Sequence, residues 1–111
     1  MKIILSPKRL DSVLQLVKSG DNLIVNDEKF DFSLVGEGDT LPREAIHSLW
    51  FDGPVDRIDG ELVLTVVIPN PWNFSYEQAF PVPIDDVPDG PVMLPGPRAE
   101  TDASVVGEIN A

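Results

Sequence analysis

The chain has 111 residues, which is the length of one domain. It carries 8 Lys and Arg against 19 Asp and Glu, a formal net charge of -11 at pH 7. This charge repels phosphate backbones and anionic lipids, so we expect neither a nucleic-acid nor a membrane partner. The absence of cysteine excludes disulfides, zinc–thiolate centres and cysteine nucleophiles. No apolar stretch approaches the ~20 residues of a membrane helix. Without a secretory leader, we expect synthesis in the cytoplasm.

The first third of the chain predicts a three-stranded meander. Two apolar segments, 12–18 and 23–25, each end in a cluster of turn-forming residues. In the third segment Phe30, Phe32 and Leu34 alternate with polar residues, which predicts that all three face the core.

The middle of the chain predicts one short helical turn and two hairpins. Thr40 is a candidate cap for a turn over 41–48, with Pro42 at its first position. We expect a first hairpin between 48–51 and 55–58, and a second at the Asp59-Gly60 turn. The strand that follows, 61–68, is apolar on both faces, which predicts a central strand covered twice or one that meets a partner.

Beyond residue 68 the composition changes, because eight of the eleven prolines lie between Pro69 and Pro97. Proline disfavours regular ladders and long helices, so we expect short extended edge segments at 79–84 and 90–94. The whole pattern predicts a single all-β domain, a small sandwich or open barrel of about six or seven strands. We place the β domain at 1–95 and a flexible C-terminal tail at 96–111, although Val105, Val106 and Ile109 are apolar for a tail.

No motif predicts catalysis, a cofactor or a metal. His47 is the single histidine, and no nucleophile motif accompanies it. The acids of 85–90 lack the alternating oxygens and the distal glutamate of a calcium loop. The glycines of 36–39 lack the lysine of a phosphate loop. We therefore expect that the protein is not an enzyme.

The aromatic residues of the proline-rich region are the strongest candidate site. Trp72, Phe74 and Tyr76 recur at every second position. They either fold over the sheet as a lid or stand exposed as anchors, the residue class that dominates protein interfaces. Together with Phe80 and Ile84 they form the protein interface that we predict.

Short strings of residues across 1–95 recur in one family. They are Met1–Pro7, Phe30–Ser33, Leu41-Pro42, Glu44–Ile46, Trp50-Phe51, Gly53–Val55, Arg57–Gly60, Phe80-Pro81, Pro83-Ile84 and Asp89–Val92. In these strings the chain resembles small proteins encoded among the tail genes of tailed bacteriophages and prophages. The resemblance gives none of these residues a role.

The resemblance implies a structural or adaptor protein of the tail tip or baseplate, located in the virion after synthesis in the host cytoplasm. Its partners would be other phage tail proteins in a symmetric assembly. Two alternatives stay open at this point. One is an assembly chaperone that is absent from the finished particle. The other is an acidic inhibitor of a host nucleic-acid-binding protein, supported by the six acids of residues 21–40.

Overall fold

A computed structural model describes residues 1–98, and these form an all-β domain of two four-stranded sheets. This confirms the predicted fold class. Val105, Val106 and Ile109, with most of the predicted tail, lie outside the described residues. The strands are β1 (Lys2–Arg9), β2 (Leu16–Ser19), β3 (Asn22–Val25), β4 (Glu28–Asp31), β5 (Thr40–Leu41), β6 (Val55–Ile58), β7 (Glu61–Asn70) and β8 (Gly90–Pro91). The helical elements are a 3-10 turn, Arg43–Ala45, and a one-turn helix α1, Tyr76–Ala79.

The first sheet has the order β1-β7-β6-β5, and β1 pairs with β7 in parallel. We did not predict β1 as a strand, because its pairing partner lies about sixty residues away and a local pattern carries no long-range signal. Pro7 lies within β1 without breaking the sheet. Proline lacks the N–H donor, so an edge strand tolerates it on the side that faces away from its neighbour.

The predicted hairpin between 48–51 and 55–58 is wrong, since both segments lie along β7. Phe51 forms a bridge with Val66, while β6 pairs with the beginning of β7 through the Asp59-Gly60 turn. The link between them passes so close to β7 that a Cβ on Gly53 would lie 3.2 Å from Thr65. The long apolar strand is therefore central, as predicted, and it has three neighbours.

The outer face of β7 is covered in part by a polar bridge. The Ser6 hydroxyl donates to Asp52 Oδ2 at 2.5 Å, and Lys8 lies 3.6 Å from the same carboxylate. Because Ser6 and Asp52 flank β7 on opposite sides, this bridge crosses the strand beside the buried Val67. The Ser6 hydroxyl also lowers the pKa of Asp52.

The second sheet has the order β4-β3-β2-β8 and contains the predicted meander. The prediction that Leu34 faces the core is wrong, since Leu34 is 95% exposed. The backbone turns after β4, where Asp31 accepts a hydrogen bond from the Ser33 N–H and Val35 N–H donates to the Phe32 carbonyl. As a result Val35 enters the core instead of Leu34.

One apolar core joins the two sheets. At its centre the Phe51 ring packs edge-on against Phe30 and Phe32, with centroids 4.9 and 5.7 Å away. Arg57 on β6 connects the sheets at one end, since its guanidinium donates to the Val35 carbonyl and to the Asp21 carboxylate.

The predicted helical turn is shorter than 41–48 and starts differently. It is the 3-10 turn Arg43–Ala45, whose N-cap is Pro42. Thr40 is not a cap, because it belongs to β5 and its hydroxyl donates to Asp56 across the strand pair.

Candidate protein-interaction surface

Residues 72–76 show an inverted burial pattern, with the aromatic side chains outside and the polar ones inside. Trp72 and Tyr76 are 66% and 73% exposed, and Phe74 is exposed as well. Asn73 and Ser75 between them are buried. The lid interpretation is therefore wrong for these aromatics. All three side chains are exposed, as the anchor alternative requires.

Hydrogen bonds from the buried polar side chains explain this inversion. Ser75 caps α1 by accepting from the Gln78 N–H at 3.1 Å, and the Gln78 side chain accepts in return from the Ser75 N–H. Asn70, at the end of β7, donates to the Gln78 carbonyl at 2.9 Å. This reciprocal capping box holds a helix that is too short to form alone. Here buried polar side chains hold the backbone in place, as buried apolar side chains do elsewhere in the domain.

The end of the described chain clamps the same loop. Asn73 and Arg98 exchange two hydrogen bonds of 3.0 Å, and the Ser75 hydroxyl donates to the Gly96 carbonyl at 2.7 Å. Gly96 and Arg98, which we assigned to the tail, are thus hydrogen-bonded to this loop.

Tyr76 and Phe80 form the wall of an apolar groove. Their ring centroids lie 5.0 Å apart, one helical turn apart on α1 and its C-cap. The groove has a volume of about 360 Å³. Its lining residues are Leu5, Tyr76, Glu77, Phe80, Pro81, Val82, Ile84, Met93 and Pro95.

The predicted interface residues occupy different places around this groove. Tyr76, Phe80 and Ile84 line it, whereas Trp72 and Phe74 lie outside its lining. Ile84 is half-buried and forms a bridge with Ile3, so it is a wall of the groove more than a free anchor. The exposed Val82 lies within the edge from Phe80 to Ile84 that we predicted as interface. Met93 was not predicted, because a single apolar residue among prolines carries no periodic signal.

The groove is nearly uncharged. Among residues 1–98, Glu77 is the only charged residue in its lining.

The acids of residues 21–40 mostly stabilise loops. Asp21 pairs with Arg57, and Glu37 accepts from the backbone N–H groups of Asp59 and Gly60. Asp39 accepts from the Gly36 N–H. Carboxylates in such turns organise the local backbone. Asp21, Glu37 and Asp39 thus have structural partners within the fold.

The acids of 85–90 have structural partners in the same way. Asp89 accepts from Lys18 Nζ at 2.8 Å and from the Gly20 N–H at 3.0 Å, and both bonds lower its pKa, the lysine most. Asp85 lies 3.8 Å from Lys2 Nζ.

Within residues 1–98 no group of three or more metal-ligating side chains comes together. In the same part of the chain, no helix is both long and apolar enough to cross a membrane. His47 is exposed beside the 3-10 turn.

Comparisons of the chain with protein-family models, with curated proteins and with solved structures found no match.

Proposed function

We propose that this chain is a structural or adaptor protein of a bacteriophage tail, acting at the tail tip or baseplate through protein–protein contacts. The observation that carries the proposal is the exposure of large aromatic side chains on a backbone held by buried hydrogen bonds. A flexible loop with the same residues would lose more conformational entropy on binding. A loop that is already ordered keeps more of the energy of the contact.

The composition of the surface supports a protein partner. Tyrosine and tryptophan are the residues that most often dominate binding energy at protein interfaces. Here the exposed Tyr76, Phe80, Val82 and Met93 line one groove. Trp72 is exposed earlier in the same loop. Contiguous apolar surface of this kind is a typical mark of an interaction site.

The phage tail as the setting of this contact comes from the resemblance of the strings between residues 1 and 95. A tail is built from symmetric rings, so one copy per ring subunit multiplies a weak contact through avidity. The proposal needs neither a cofactor nor a catalytic residue, and it places the protein in the virion.

The proposal is tested by quantitative mass spectrometry of purified particles beside the cleared lysate of the producing strain. We expect this chain in a fixed ratio to the known tail proteins. Abundance in the lysate with absence from particles would reject the virion component. That result would favour the assembly chaperone if the chain then copurifies with an unassembled tail protein in molar salt. Binding that molar salt abolishes would favour the acidic inhibitor, because screening weakens charge-driven contacts.

A further inference from the structure

The free edge of β1 carries backbone groups without a hydrogen-bond partner among residues 1–98. Ile3 exchanges two backbone hydrogen bonds with Ile84, of 2.9 and 2.8 Å, on the side away from β7. Alternate residues of a strand direct their N–H and C=O groups to the same side. Leu5 therefore directs both groups to this side, and Pro7 directs its carbonyl there. Neither residue pairs on this side within the part of the chain that the structure describes.

The apolar groove lies directly against this unpaired edge. Continuing the antiparallel bridge of Ile3 and Ile84 by two residues would place Val82 opposite Leu5. Instead Val82 is 77% exposed and lies with Leu5 among the residues that line the groove. The groove thus occupies the position of a missing strand.

We propose that the groove binds an extended segment of the partner protein, which pairs with β1 as an antiparallel strand across Leu5. This rests on the proposed function and gives the form of the partner. The partner residue opposite Leu5 donates to its carbonyl and accepts from its N–H. The partner residue two positions earlier donates to the Pro7 carbonyl. Main-chain bonds give such strand addition its affinity, and the side-chain pockets give its specificity.

The surroundings of Leu5 define the side chains of this segment. Residues directly opposite each other in a sheet share a face, so the residue opposite Leu5 enters the groove beside Phe80 and Ile84. It is therefore apolar. Glu77 is the single charge that the described residues contribute to the lining, on a protein of net charge -11. Charge complementarity favours lysine or arginine at the ends of the segment.

The probe is a capped synthetic peptide of alternating valine and threonine with a lysine at each end, titrated into the isotope-labelled full chain by NMR. We expect the Leu5 amide to shift and its hydrogen exchange to slow as peptide is added. Two matched peptides carry backbone N-methyl groups, one on the valines and one on the threonines. Only the valine N–H groups point to β1 when valine lies opposite Leu5. We therefore expect about a tenfold loss of affinity for the valine-methylated peptide, since it loses the donors to the Leu5 and Pro7 carbonyls, and little loss for the other.

A Glu77→Lys variant serves as the charge control, since this side chain is exposed. We expect it to weaken the lysine-flanked peptide and to strengthen the same peptide flanked by glutamate. Equal affinity of the two methylated peptides, or a Leu5 amide that does not respond, would overturn strand addition. Slow exchange of Leu5 in the free full chain, with fast exchange in a chain ending at Arg98, would also overturn it. That result would show that the protein's own last residues occupy the edge.

These outcomes are separate from the test of the proposed function. If particles contain the chain in a fixed ratio but the Leu5 amide does not respond, strand addition is rejected and the role as a tail protein is supported. If Leu5 pairs with the peptide but the protein is absent from particles, the virion role is rejected and strand addition at the groove is supported.

Discussion

The strands up to residue 70 and the proline-rich region of 71–98 reach order by opposite means. In the first region apolar side chains such as Phe51 and Leu64 are fully buried, and Asn70 at its very end is the one buried polar residue among those described. In the second, Asn73, Ser75 and Gln78 are buried, and the aromatics between them face solvent. The comparison teaches that the first region supplies stability. On that support the second region holds an apolar surface exposed to solvent.

The largest effect is expected from a cavity in the core of the first region. Phe51→Ala removes the ring that contacts both Phe30 and Phe32, so we expect the free energy of unfolding to fall by about 3–5 kcal/mol. Chemical denaturation measures this change. The control is Leu49→Ala, two residues away and 87% exposed, which we expect to change stability by less than about 0.5 kcal/mol. Equal effects would show that the core is not where the structure places it.

A smaller loss is expected from the link between the two sheets. Arg57→Lys keeps the positive charge near Asp21 but cannot also donate to the Val35 carbonyl from a planar fork. We expect the free energy of unfolding to fall by about 1–3 kcal/mol, because a partly buried carbonyl loses its donor. Thermal denaturation measures the change. The exposed Lys29→Arg is the matched control. If the Arg57→Lys protein is as stable as the wild type, Arg57 does not stabilise the contact between the two sheets.

A local effect is expected from the polar support of the aromatic surface. Ser75→Ala removes the cap of α1 and the bond to Gly96, and we expect a loss of about 1 kcal/mol. Hydrogen exchange should speed up at 75–80, while the amides of β3 keep their protection. Ser48→Ala is the control for loss of a hydroxyl away from the groove. An equal increase of exchange in both sheets would contradict the division into two regions.

The smallest effect on stability is expected at acid pH. The folded-state pKa of Asp89 is lowered from its ordinary value of 3.8, chiefly by the Lys18 ammonium. Its contribution is therefore present above that value and is lost as the pH falls through the lower pKa of the folded state. We expect Asp89→Asn to be less stable than the wild type near neutral pH, and the difference to vanish in strong acid. A difference that does not depend on pH would show that the carboxylate's charge has no part in it.

The parts of the fold with a local signal were predictable from sequence. The meander of β2–β4 and the turn at Asp59-Gly60 follow from short-range alternation and turn chemistry. The parallel pairing of β1 with β7 and the bridge of Phe51 with Val66 join segments far apart in the chain. One sequence contains no local signal for such contacts, so the predicted hairpin put Phe51 beside the wrong strand.

The candidate site, too, was predictable from sequence only in part. The choice of aromatic residues came from the spacing of Trp72, Phe74 and Tyr76. Their exposure depends on hydrogen bonds that only the folded chain forms, from Asn70 to the Gln78 carbonyl and from Ser75 to the Gly96 carbonyl. The contribution of Leu5 to the groove was not predictable, because it requires the position of β1 at the edge of its sheet.

The central claim is that the exposed aromatic surface binds a partner while the sheets carry stability. The most direct test compares particles from two double variants, Tyr76→Ala with Phe80→Ala and Leu34→Ala with Leu49→Ala. All four side chains are exposed, so we expect both variants to denature close to the wild type. The account predicts that the first variant disappears from purified particles and that the second stays at the wild-type ratio. Equal incorporation of both variants would contradict it.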